Sequence, residues 1–153
     1  MLKIFWNMMI VIMLGVMLGF TLGSGGAYAH KDATGIVKTR MDGFKQSQQN
    51  FKDLIRAAHG NDYDTVRTLS VSLTEWGQQM QQHFPAGSNQ PPSEAADTIW
   101  SDASGFAKAI DNYINATQDI TAAAIAADKP AIMAGIKSTS DSCTSCHNVY
   151  RVK

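Results

Sequence analysis

From position 37 onward, apolar side chains recur every three or four residues in four successive windows. This is the period of an α-helix that buries one stripe. The first series is Val37, Met41, Phe44, Gln48, Phe51, Ile55 and Ala58, with one polar member, and it runs into His59-Gly60. Glycine just past the last periodic residue predicts the helix stop there. A second helix is expected to open at Asn61, where Asp64 suits a first turn, and to carry Val66, Leu69, Leu73, Trp76 and Met80 up to His83. Positions 84–92 hold three of the four prolines, so no helix crosses them. A short helical piece is expected over Glu94 to Trp100, then a third main series through Phe106, Ile110, Tyr113, Thr117, Ile120, Ala124 and Ala127. Asp128-Lys129-Pro130 combines an N-cap with a proline tolerated in the first turn. It predicts a fourth helix whose seam is Ile132, Ile136, Thr139, Cys143, Cys146 or His147, and Tyr150.

Four amphipathic helices with no alternating strand pattern predict an all-α chain folded as an antiparallel four-helix bundle. Its one long connection falls between the second and third helices. Composition narrows the function. Of 153 residues, 13 are basic and 13 acidic, a balance that excludes a non-specific nucleic-acid binder, which needs clustered cations.

The first 29 residues stand apart. Lys3 precedes an apolar run from Ile4 to Phe20 broken only by Asn7, followed by a small and polar stretch ending Ala27-Tyr28-Ala29. These are the parts of a secretory signal peptide with an A-x-A cleavage site after Ala29. A mature domain over 30–153 is expected, working in the periplasm. Losing Lys3 leaves it 12 basic and 13 acidic residues, a net charge of −1.

The candidate chemistry lies in Cys143-Thr144-Ser145-Cys146-His147. On a helix, positions i, i+3 and i+4 share one face, so two sulfurs and an imidazole project together. C-x-x-C also serves thioredoxin-like redox sites, but those want a βαβ context, and structural zinc sites want four ligands. C-x-x-C-H is the attachment signal for c-type haem, with Cys143 and Cys146 bonded to one haem and His147 as axial ligand to its iron.

A haem motif near the end of the last helix of a four-helix bundle resembles the class II cytochromes c, cytochrome c′ in particular. The resemblance spans the mature chain. It is carried by Ile36-Val37-Lys38-Thr39-Arg40, Phe84-Pro85-Ala86-Gly87-Ser88, Ile99-Trp100-Ser101-Asp102 with Phe106, and Cys143 through Arg151. It implies one covalent haem c and a distal residue on the first helix, four positions after an arginine that approaches a haem propionate. Arg40 and Phe44 stand at those positions.

Low-spin relatives carry methionine at the distal position, and phenylalanine cannot ligate iron. The resemblance therefore implies a five-coordinate, high-spin haem that binds small gases, nitric oxide or carbon monoxide, and exchanges electrons with an unidentified redox partner. The competing expectation is a six-coordinate, low-spin electron carrier with Met41 as sixth ligand, one turn before Phe44. Met80 is a weaker candidate ligand of the same kind. No enzymatic turnover is expected, slow nitric oxide reduction being the one activity left open. Arg151, one turn beyond His147, is expected on the proximal side. Gln48 occupies a seam position where relatives commonly carry a small residue, and a hydrogen bond to a propionate or to water is one role for it. Trp76 and Trp100 suit the wall of an apolar pocket or a dimer seam, with core packing the favoured expectation, and His59 and His83 are expected as solvated helix-end residues. The resemblance further implies a homodimer.

Overall fold

The structure is a computed structural model that describes residues 33–152. The expected signal segment and its cleavage site lie outside the described residues. Four long helices form the bundle: α1 Gly35–His59, α2 Tyr63–Met80, α4 Ala103–Ile125 and α5 Lys129–Tyr150. A 3₁₀ turn, Gln81–His83, extends α2, and the single-turn helix α3, Thr98–Ser101, precedes α4. Among the described residues the only extended pairing is one isolated antiparallel bridge, Ala95 to Arg151.

The helix ends show where local chemistry acts. Asp128 caps α5 as expected, its carboxylate accepting from the Ala131 N–H at 3.0 Å. At the first turn the expectation is corrected by one residue: Asp62, not Asn61, caps α2, accepting from the Thr65 N–H at 3.1 Å and the Thr65 hydroxyl at 2.7 Å. Asn61 instead takes the left-handed conformation that reverses the chain, at φ 58°, while Gly60 stays right-handed. Asparagine tolerates that region because its short polar side chain bonds locally. The expected helical piece from Glu94 shrinks to Thr98–Ser101, because Glu94 to Ala96 pair instead with the end of α5. The Ala96 N–H donates to the Tyr150 carbonyl at 3.1 Å and the Val152 N–H to the Glu94 carbonyl at 2.9 Å.

The two short turns lie together at one end of the bundle, joined by the Lys129 ammonium on the Asn61 side-chain oxygen at 2.7 Å. The long connection and the end of α5 occupy the other end. At the turn end the core is aliphatic: Leu54, Val66, Ile120 and Ile132 are fully buried, with Leu73 midway along α2. Helices approach closely where side chains vanish. A Cβ on Gly135 of α5 would lie 2.6 Å from the Ile120 side chain of α4, and one on Gly77 of α2 would lie 2.7 Å from Ile114.

The four sides of the bundle are unequal. α2 packs along α4, α4 along α5 and α1 along α2, whereas α1 and α5 scarcely touch. The α1 stripe read from the sequence follows this asymmetry: Val37, Met41, Phe44, Phe51 and Ile55 are only half-buried, and Gln48 is exposed. Ala58, at the end of the stripe, and Leu54, outside it, are the α1 residues sunk in the hydrophobic core.

Replacing Asp128 by Ala removes one cap and is expected to cost about 1 kcal/mol of stability, read as a lower urea midpoint at unchanged m-value.

Candidate haem site

Cys143, Cys146 and His147 sit on the last two turns of α5, with Cys143 near Tyr113, whose hydroxyl meets Ser47 of α1 across the poorly closed seam. Both thiols are half-buried against the core and unbridged, and the imidazole is exposed. Burial pushes both thiols up, Cys146 to about 11 with a contribution from neighbouring Cys143. They are protonated at neutral pH, so the pair lacks the thiolate that disulfide exchange requires. His147 moves the other way. Burial and the Arg151 charge lower its pKa against an opposing pull from Glu94, which favours the neutral imidazole with a free lone pair. Among the described residues no cluster of three or more His, Cys, Asp and Glu suits a bare metal ion. Two thiols and one adjacent imidazole, beside an apolar seam, fit a porphyrin held by its edge and its iron.

The seam has a floor and a wall. Tyr113 of α4 reaches across to α1, its hydroxyl 3.1 Å from that of Ser47, and lies close enough to Cys143 for their charges to interact. Its phenol is pushed up to about 12, chiefly by burial. The wall is aromatic. Phe44 meets Trp76 edge-on at 5.2 Å between centroids and Phe84 at 6.3 Å, and Trp76 stacks on His83 at 5.2 Å with 19° between planes. His83 is thus not a solvated helix-end residue: it is half-buried, with Nδ1 unpartnered, as is the indole N–H of Trp76. His59 is exposed, as expected. Trp100 packs half-buried and donates to the Phe84 carbonyl at 3.1 Å.

Arg40 has a duty that the sequence did not reveal. It is 3% exposed, and its two terminal nitrogens donate to four acceptors in the long connection. These are the carbonyls of His83 at 3.1 Å and Ser88 at 2.7 Å, and the hydroxyls of Ser88 at 3.0 Å and Ser93 at 2.7 Å. Its guanidinium also covers the Phe84 ring at 4.4 Å. Nε–H is the donor left outside this set. Arg151 pairs with Glu94 through Nε at 2.7 Å and through a second nitrogen, and so it ties the connection to α5 beside His147.

A second tether lies one turn from the imidazole. The Asp102 carboxylate caps α4 through the Gly105 N–H at 3.1 Å, and its other oxygen accepts from the Tyr150 hydroxyl at 2.9 Å. A Cβ at Gly105 would come within 2.1 Å of that carboxylate and 2.5 Å of the phenol oxygen. Only glycine leaves room for this contact. The Thr98 hydroxyl holds the Val149 carbonyl at 2.6 Å. Sequence spacing could not disclose these partners, since 48 and 51 residues separate them in the chain.

A four-helix bundle presenting Cys143-Thr144-Ser145-Cys146-His147 on an open seam defines a c-type haem protein of the class II kind. Comparison with known proteins specifies it further. The family model for cytochrome c′ matches residues 35–151, and the chain belongs to that family, whose cofactor is one covalent haem c. Cytochrome c′ of Rubrivivax gelatinosus is 34% identical over 89 residues, covering 58% of this chain and 64% of that protein, somewhat under two thirds of its length. A nitric oxide complex of a cytochrome c prime variant from Alcaligenes xylosoxidans superposes with a TM-score of 0.70 at 24% identity, covering 77% of this chain and 94% of that one. Another cytochrome c′, described as having a ligand-controlled dimer dissociation, superposes at 0.71 with 15% identity, covering 77% and 95%. At these identities the structural likeness establishes the fold.

Tyr113 generates a pH dependence. Its folded pKa stands above the ordinary value of 10.0, so its contribution is complete below pH 10 and is lost as pH rises toward 12, because the unfolded chain releases the proton first. Stability is expected to fall by about 2–3 kcal/mol across that window. Tyr113→Phe should flatten this part of a urea-stability profile measured against pH.

Proposed function

We propose that this chain is a periplasmic cytochrome c′ whose haem is five-coordinate and takes a small neutral gas at the open iron position. Cys143 and Cys146 hold the haem by thioether bonds, and His147 is its protein ligand. A ferrous haem supplies one vacant coordination site and a one-electron couple. The observation that carries the reading is Phe44: the α1 residue in the aromatic wall of the seam has a side chain that cannot bind iron. Its ring offers bound dioxygen no hydrogen bond and crowds any ligand. Nitric oxide bonds ferrous iron strongly enough to tolerate crowding, and carbon monoxide shares its size and neutrality.

The remaining residues have supporting roles. Arg40 would have its Nε–H left for a propionate while its terminal nitrogens hold the connection. Arg151, fixed by Glu94, shields the proximal side. The Phe44 ring supplies no acid or base for peroxidase-like turnover, and the protein serves as a gas-binding and electron-exchanging cytochrome. The relative crystallised with nitric oxide supports the ligand, and the one described by its dimer dissociation supports a homodimer. Among the described residues no helix is long and apolar enough to cross a membrane.

Optical spectra of the reduced holoprotein test the reading. A high-spin spectrum that changes on adding carbon monoxide is expected, and Phe44→Met should convert it to low-spin with at least a tenfold loss of carbon monoxide affinity. Met41→Ala should leave the parent spectrum unchanged. A low-spin parent that becomes high-spin in Met41→Ala would establish the Met41-ligated electron carrier instead.

A further inference from the structure

On the reading that Phe44 covers the open iron position, we infer that Trp76 is a positioning residue, which restrains Phe44 and so sets how fast a neutral diatomic gas reaches the iron.

The indole is seated in a socket made by Gly43. A Cβ at that position would lie 2.2 Å from Cη2 and Cζ3 of Trp76 and 2.9 Å from Cζ2, distances at which any other residue would expel the ring. The residue next in sequence is Phe44, whose ring meets the same indole at 5.2 Å and 81°. One turn of α1 therefore supplies both the socket and the restrained ring. The other contacts close a circuit. Trp76 stacks on His83, the His83 carbonyl accepts from Arg40, Arg40 covers Phe84, and Phe84 meets Phe44. The indole N–H has no hydrogen-bond partner, so packing alone orients the ring.

Trp76 and Phe84 bar the Phe44 ring from swinging to their side, and the indole that does so is itself wedged between helix backbone and imidazole. A side chain in a well-packed cluster moves only when its neighbours move, and a ligand that must wait for that motion binds slowly. The restraint acts on entry and leaves the iron's own bonds untouched.

The experiment uses the full holoprotein and carbon monoxide as probe. Trp76→Leu is expected to raise the carbon monoxide association rate of the ferrous protein at least tenfold while its unligated optical spectrum stays that of the parent. Gly43→Ala, which fills the socket, should change the rate at least fivefold in the parent and less than twofold in the Trp76→Leu background. Fluorine NMR of protein bearing fluorinated phenylalanine, with the Phe44 line assigned by Phe44→Leu, gives a readout independent of gas binding. One sharp Phe44 line in the parent should broaden or double in Trp76→Leu. Trp76→Phe, a smaller ring in the same socket, should shift rate and line shape in the same direction and serves if the leucine variant does not fold. An association rate within twofold of the parent, an equal Gly43→Ala effect in both backgrounds, or an unaltered Phe44 line overturns the inference. A low-spin parent overturns the gas-entry role through the proposed function itself, and the fluorine spectrum then separately decides whether Trp76 restrains Phe44.

Discussion

A single buried cation organises the site end of this molecule. Arg40 has no carboxylate among its hydrogen-bond partners, and its charge is met by two carbonyls, two hydroxyls and the face of Phe84. Burying a cation is costly unless its donors are satisfied, and here the acceptors come from both ends of the proline-rich connection. The connection must therefore take one shape for the arginine to be buried at all. That shape carries Phe84 to Phe44, His83 to Trp76, and Ser93 to the point where the chain pairs with α5. Ser93 holds the Ala95 N–H at 3.0 Å, so the same hydroxyl that receives Arg40 starts the bridge to Arg151.

The setting of the last turn of α5 follows from this connection. Glu94, Ala96, Thr98 and Asp102 all bond to residues between Val149 and Val152, by side chain or backbone. The last turn of α5 is gripped just beyond His147. Aromatic contacts run in parallel, from Phe84 to Phe106 at 5.0 Å and from Phe106 to Tyr150 at 5.2 Å. The aromatic wall and the end of α5 are thus two borders of one packed cluster rather than two independent walls. Arg40 touches both through Phe84 and Ser93.

Periodicity, caps and punctuation made the helices legible, because each is a local property: the carboxylate of Asp128 and the break at 84–92 act within a few residues. The five-residue haem motif was legible for the same reason, its geometry being fixed by one turn of helix. The connection was not. Glu94 to Trp100 carries helix-compatible residues, but pairing with a strand-like tail more than fifty residues away outweighs weak local propensity. His83 was misread for a related reason: a polar side chain at a helix end is usually solvated, and only tertiary structure brings it a stacking partner; the acceptors that Arg40 finds in the connection were equally invisible in its local sequence. The α1 stripe gave the correct face with the wrong depth, since the period reports apolar direction and says nothing of whether a partner helix closes over it.

That difference in depth divides the bundle into two functional ends. Leu54, Val66, Ile120 and Ile132, near the short turns, are completely enclosed, and each such aliphatic contributes about 1.5–3 kcal/mol through burial. Along the seam where α1 and α5 scarcely touch, the α1 side chains Met41, Phe44 and Phe51 are half-buried, and Phe44 belongs to an aromatic wall. A haem-sized group between two helices forfeits the contacts they would otherwise make, and the fold tolerates this because its densest packing lies elsewhere. The seam end is instead made rigid by directional contacts, hydrogen bonds at Arg40 and Asp102 and edge-to-face rings between them. Directional contacts fix position without filling the space, and a covalent haem protein needs both an opening for the cofactor and a fixed place for its axial imidazole.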